Sequence, residues 1–250
     1  MIELLRYMKC DLYKLRRSAF FWLHTLFPIC GVALVLLYAS FAEVSSTSKI
    51  ATFFQLFAIA YPFVISIVCT VVAEQEMVAG YCQNILVLPS RAKVVLSKYF
   101  VLAVCGLLSV GLGTTLFAGL FPLTSAELNI SYMSYLLPAL VLWGSNLQLY
   151  ALHLLVAFWL GRNVCIGVGA VGSLLAALLQ TGLGTGLWFV LPYGFGVRLT
   201  NHFLMYTMDT VSALNAEIKC GIVCCIGITS AAICLMTSFL YRYSGKPVTD

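Results

Sequence analysis

Apolar residues run along this chain in long stretches separated by short polar segments. A bilayer core of about 30 Å takes about 20 residues of helix to cross. Six stretches reach that length: residues 19–42, 50–73, 99–121, 132–160, 164–191 and 217–241. The expected architecture is an all-α membrane protein with six transmembrane helices in a single domain, residues 1–250. The fifth stretch is long, and its second half, QTGLGTGLWFVLP, is rich in glycine and closes at Pro192. That composition predicts a span followed by a segment that bends or re-enters from the far side. Irregular backbone of this kind survives in a membrane only where protein or water covers it.

Three polar segments carry patterns of their own. At the start, MIELLRYMKCDLYKLRR sets Leu5, Met8, Leu12 and Leu15 on one helical face, with Arg6, Lys9, Lys14 and Arg17 largely off it. This spacing predicts an amphipathic helix over residues 1–18 lying in the membrane interface. Residues 74–98, within EQEMVAGYCQNILVLPSRAKVVLSKYF, concentrate Glu74, Glu76, Arg91, Lys93 and Lys98 between two apolar stretches. There Ile85, Leu86 and Leu88 form a short apolar patch, and Pro89 breaks the helix. The expected element is a short amphipathic surface helix that ends in a basic turn and needs a partner. Residues 192–216 interleave Tyr193, Phe195, Phe203 and Tyr206 with Arg198, His202 and Asp209. Amphipathic rings favour an interface, so residues 199–214 predict a surface helix, either a lid that seals the outer ends of the neighbouring spans or a wall of the exit, where Tyr206 and Asp209 are the candidate substrate-path residues.

Composition sharpens this picture. The 250 residues are 62% hydrophobic and 9% charged, where a soluble domain averages about 25% charged. The solvent for much of the chain is therefore lipid. A net charge of +5 is dispersed around the apolar stretches and forms no stripe, so it does not point to nucleic acid, and no nucleic-acid partner is expected. Orientation follows from the basic residues. With the N-terminus inside, the cytoplasmic parts hold Arg6, Lys9, Lys14, Arg16, Arg17, Arg91, Lys93, Lys98, Arg162, Arg242 and Lys246, and the other side holds Lys49, Arg198 and Lys219. Both termini and segment 74–98 are expected in the cytoplasm. Ser40-Phe41-Ala42 offers a small-x-small cleavage site, but the charged region and the apolar run before it exceed those of a signal peptide, so the first stretch is expected to stay as an anchor.

Candidate chemistry is sparse. The ten cysteines lie in or beside apolar runs without metal-ligand or disulfide spacing. Asn129-Ile130-Ser131 fits a glycosylation sequon, a pattern short enough to arise by chance. Gly144-Ser145-Asn146 and His153 in the fourth stretch faintly suggest a serine–histidine pair, but on one continuous helix they stand about two turns apart, out of reach. Ser145, Asn146, Gln148 and His153 read instead as polar glue between helices or the wall of a substrate passage, and His24 as glue. Gly182-Leu183-Gly184-Thr185-Gly186 lacks the lysine of a P-loop, so the chain is not expected to hydrolyse ATP. Glu43, Glu127, Asp209 and Glu217 fall at or beyond the outer ends of the stretches, which counts against an ion-coupled carrier.

The order Glu-x-Glu, Gly80, a short helix with Asn84-Ile85-Leu86, Leu88-Pro89-Ser90-Arg91, then Ser97-Lys98 into the next span resembles permease subunits of the ABC-2 type. Within them it is most similar to the lantibiotic immunity permeases of the LanE/LanG type, the LanG (MutG-like) branch in particular. The resemblance implies a coupling helix formed by Glu74, Glu76, Gly80, Asn84, Leu86, Leu88, Pro89, Ser90 and Arg91, docked into a separate ATP-binding subunit present in two copies. It implies a second related permease as partner, a cationic antimicrobial peptide as cargo, and the bacterial cytoplasmic membrane as location. ATP and magnesium would belong to the partner, and this chain would carry no cofactor or metal. Two alternatives stand beside it: an ABC-2 permease for a drug, lipid or glycan, and an ATP-independent carrier or intramembrane enzyme.

Overall fold

Six helices in the computed structural model are long and apolar enough to cross a membrane. The structure describes every residue except Met1, Ala79, Tyr81, Pro89, 125–129, Ala213 and 243–250, and only the backbone at Ile2, Asn84, Leu86 and Leu240. Pro89, Glu127, Asn129 and Lys246, and the side chains of Asn84 and Leu86, thus lie outside the described residues.

The helices are α1 (Ile2–Leu15), α2 (Phe20–Phe41), α3 (Ser46–Val78), α4 (Gln83–Leu86), α5 (Arg91–Leu120), α6 (Met133–Gly144), α7 (Leu147–Leu160), α8 (Arg162–Gln180), α9 (Pro192–Thr207) and α10 (Ala216–Arg242). No strand occurs among the described residues. Side-chain pairing defines two ends of the bundle. Glu76 of α3 meets Lys98 of α5, Glu74 meets Arg162 of α8, and Arg91 meets the Tyr241 carbonyl of α10, all at one end. Most charged residues gather there, and we call it the basic end.

α3 forms the centre: 61% of its most apolar window is buried, against 28%, 28% and 22% for α2, α8 and α10. Its Phe53 stacks on Phe117 of α5 with ring centroids 4.1 Å apart, and Phe57 packs against Phe27 of α2. Further along, the hydroxyls of Tyr61 (α3) and Tyr150 (α7) pair at 2.9 Å, which satisfies two polar groups that would otherwise be stranded in the core. The rim helices leave Leu34 and Leu37 of α2, Leu174 of α8 and Val223 of α10 more than half exposed, as lipid-facing surfaces do.

Two features depart from the sequence reading. The fourth stretch is not one continuous helix: it breaks between α6 and α7 at Ser145-Asn146. Short polar side chains there compete for backbone groups, as such residues do. Ser145 Oγ and Asn146 Nδ2 both donate to the Leu142 carbonyl, at 3.3 and 2.7 Å, and Gln148 Nε2 donates to the Ser145 carbonyl at 2.7 Å. Nor is there a surface helix over 199–214. The helix runs Pro192–Thr207, with Leu199, Thr200 and Leu204 buried, and residues 208–212, 214 and 215 are non-helical.

The predicted re-entrant bend is present. From Gln180 at the end of α8 the chain folds back along the bundle, and α9 begins deep, its Pro192 carbonyl accepting from Gln148 at 3.1 Å beside the α6–α7 break. α9 then rises alongside α8: Tyr193 lies against Gly172, and Arg198 Nε reaches the Leu179 carbonyl at 2.6 Å. Close approach demands glycine at two points. A Cβ on Gly196 would lie 2.6 Å from Asn146 Nδ2, and one on Gly221 would lie 2.1 Å from the ring of Trp188. Trp188 itself is fully buried and plugs the space between the re-entrant segment and α10.

Candidate functional site

The polar segment between α3 and α5 rests on a buried cluster of charges. Glu76 comes from the last turn of α3, Lys98 from early in α5 and Asp11 from α1. Lys98 Nζ donates to Asp11 Oδ1 and to Glu76 Oε1, each at 2.7 Å. Ser97 Oγ donates to Asp11 Oδ2 at 2.5 Å, and Lys14 Nζ reaches Glu76 Oε1 at 2.9 Å. The Lys98 and Glu76 side chains are 2% and 1% exposed. Removing an ion from water costs several kcal/mol, so burial this deep holds only while the charges are paired. Two acids against Lys98 would leave a net negative charge, and half-exposed Lys14 restores neutrality. Glu76 Oε2 is buried without a hydrogen-bond partner among the described residues.

Above this cluster the chain makes a tight reversal. Gly80 and Cys82 take left-handed φ values of 110° and 65°, and the Cys82 N–H returns to the Glu76 carbonyl at 3.0 Å. α4 is a single turn of four residues. The apolar patch predicted to face a partner is therefore turned differently: Ile85 is buried, and Leu88 is half-buried against the core. Val78 and Val87 stand out instead, 87% and 84% exposed. Burial, with the Glu76 charge beside it, pushes the Cys82 thiol up to about 11. At pH 7.5 fewer than about one such thiol in a thousand is ionised. Maleimide treatment of the native protein, mapped by mass spectrometry, should therefore label exposed Cys10 and spare Cys82 until denaturant is added. Rapid native labelling of Cys82 would show that the reversal opens freely.

Other contacts tie the same end together. Arg91 Nη1 donates to the Tyr241 carbonyl at 3.3 Å, and Ser90, just before it, is partly exposed. Glu74 and Arg162 pair at 3.3 Å in a partly exposed position, worth little in stability. Lys93 bonds Glu3 at 2.5 Å and holds that carboxyl below the usual range. On α1 the predicted apolar face splits: Met8 and Leu15 pack inward on either side of Asp11, while Leu5 and Leu12 remain exposed.

The polar residues suggested for a substrate passage lie elsewhere. Asn146, Gln148 and His153 are all 1% exposed or less and sit between helices. Gln148 joins α7 to α9 through Pro192 and accepts from Thr229 Oγ1 of α10 at 3.4 Å. His153 lies against the Cys165 thiol of α8 and the Tyr193 hydroxyl of α9. Tyr206 and Asp209 are exposed at the opposite end, Asp209 at a left-handed φ of 54° that ends α9. No group of three or more metal-ligating side chains occurs among the described residues.

The chain matches the family described as ABC-2 family transporter protein over residues 7–179, from α1 through the α4 loop to the last turn of α8. The chain belongs to the ABC-2 transporter family. No curated protein matches it. Membership makes this multi-pass membrane protein a transport component rather than a catalyst, and implies an ATP-binding partner.

In this ABC-2 protein the residues that hold the α4 loop were only half visible in advance. Glu76 stood out as an acid after an apolar stretch, whereas Asp11, Ser97 and Lys98 were not singled out as site residues. The signal existed: Asp11 falls three residues after Met8 and four before Leu15, an acid on the apolar edge of a basic helix. If such an acid turns inward, it needs a cation or hydrogen-bond donors to meet it.

Proposed function

We propose that this chain is the permease subunit of an ATP-driven exporter, and that segment 74–98 receives the stroke of a separate ATP-binding subunit present in two copies. The observation that carries this reading is the Asp11–Lys98–Glu76 cluster, which roots both arms of the α4 loop and the helix α1 in one charged block. Glu74, Gly80, Asn84, Leu86, Leu88, Pro89, Ser90 and Arg91 form or flank the docking surface, with Val78 and Val87 as its exposed apolar points. Glu76 acts from beneath by fixing the loop. The permease needs no chemistry: the partner binds ATP and magnesium, and closure of its nucleotide sites tilts the bundle between two states.

The cargo is a lantibiotic or similar cationic peptide, expelled from the bacterial cytoplasmic membrane with a second related permease alongside and both termini in the cytoplasm. Support comes from the wording of segment 74–98 and from spans that carry little charge, which suits a lateral route for an amphipathic peptide. The variant Val87→Asp tests this without touching the core, because Val87 is 84% exposed. Placing an unpaired charge in a docking cleft costs about 2–5 kcal/mol, at least a ten-fold loss of binding. Normal expression with lost ATPase co-purification and lost peptide resistance is expected. Unchanged co-purification would remove the docking role. A wild-type complex that hydrolyses ATP yet confers no peptide resistance would remove the peptide as cargo.

A further inference from the structure

At the end opposite the α4 loop, α9 and the first turns of α10 border a half-open cleft of about 200 Å³. Arg198, His202, Met205, Asn215 and Glu217 line it, with Trp188 beneath. Its two charged groups have opposite signs, and each is only partly engaged within the protein. Arg198 gives Nε to the Leu179 carbonyl and Nη2 to the Thr181 carbonyl, at 2.6 and 2.5 Å. Glu217 Oε1 accepts from Trp188 Nε1 at 2.6 Å. These contacts fix both side chains and leave Arg198 Nη1 and Glu217 Oε2 without a hydrogen bond among the described residues. A site held in place before binding spends little free energy on ordering.

Depth and surroundings narrow the ligand. Glu217 is the second residue of a membrane-spanning helix, and Arg198 reaches the carbonyls that end another, so the cavity lies at headgroup level. In the turns below Glu217, α10 exposes Val223 and Ile226, an apolar face at the depth of acyl chains. A ligand of one sign would be drawn to one wall and repelled by the other. We propose that this cavity binds a zwitterion made of a primary ammonium and a phosphate, the ammonium on Glu217 and the phosphate on Arg198. That is the chemistry of an ethanolamine-phosphate headgroup, presented by a bilayer lipid or free in solution. The proposal is independent of the exported cargo.

The full-length protein in nanodiscs of phosphatidylethanolamine, phosphatidylcholine or phosphatidylglycerol tests this, with retained lipid counted by native mass spectrometry. Phosphatidylcholine has no ammonium N–H to donate, and phosphatidylglycerol has no cation. Preferential retention of phosphatidylethanolamine is expected, falling about ten-fold in Glu217→Gln, since a charged hydrogen bond is lost. The glutamine keeps an acceptor for Trp188, so the fold stands. In a second arm, delipidated protein receives soluble phosphoethanolamine and its melting temperature is followed. Stabilisation in this arm, absent from Glu217→Gln, supports the site and shows that the headgroup alone suffices. Retention without soluble stabilisation supports the lipid as the source. Equal retention of the three lipids, or full retention by Glu217→Gln, overturns the proposal.

Discussion

Replacing Lys98 by methionine is expected to leave a permease that barely accumulates and melts well below the wild type. The substitution keeps the stem and removes the cation, leaving Asp11 with only the Ser97 hydroxyl and Glu76 with only half-exposed Lys14, in a site where Glu76 is 1% exposed. Breaking a buried ion pair from one side typically costs about 3–5 kcal/mol, because it leaves an uncompensated buried charge, here one negative charge more than Lys14 balances. The diagnostic comparison is the triple variant Asp11→Asn, Glu76→Gln and Lys98→Met. It removes every buried charge while keeping amides able to hydrogen-bond, so it should recover most of the lost stability. Thermal unfolding in detergent reads both. If Lys98→Met melts like the wild type, the cluster does not hold this end of the bundle together.

The second large effect lies at mid-depth. Gly196→Ala should displace α9 from the α6–α7 break, because the new Cβ would fall 2.6–3.1 Å from the Asn146 side-chain amide. Asn146 cannot easily move: it is 1% exposed, and its Nδ2 is committed to the Leu142 carbonyl. Overpacking a closed site costs about 1–3 kcal/mol. Shortening the obstacle should relieve it, so Gly196→Ala combined with Asn146→Ala is predicted to be more stable than Gly196→Ala alone. The two substitutions would then show a coupling that independent sites lack. Additive losses would mean that α9 and the break do not touch as described.

Much of the architecture was legible because lipid imposes a simple rule on sequence. Six apolar stretches gave six spans, and the glycine run after Gln180 announced the re-entrant bend. The misreadings share one physical origin: they depended on which neighbour each face meets. Hydropathy averages over a window, so it could not register that Ser145 and Asn146 divert the Leu142 carbonyl and divide the fourth span. The aromatic pattern of the outer segment predicts a surface helix over 199–214, yet Leu199 and Leu204 are buried because α3, α6 and α8 surround α9. At the candidate site, charge marks Glu74, Glu76 and Arg91 in the sequence, but charge alone does not say which way a side chain points. Glu76 faces inward because Lys98 and Asp11 wait there, residues 22 positions downstream and 65 upstream of it.

That separation along the chain has a consequence for biogenesis. A ribosome adds about 5–20 residues per second, so Glu76 leaves it on the order of seconds before Lys98 does. In that interval Asp11 has no cation and Glu76 has only half-exposed Lys14, so this end must stay in contact with water. The hairpin of α2 and α3 can insert, but the basic end cannot close over it until α5 delivers Lys98. A nascent chain halted between residues 78 and 91 should thus hold α1 loosely at the membrane surface, and the arrival of one lysine should be what draws it in.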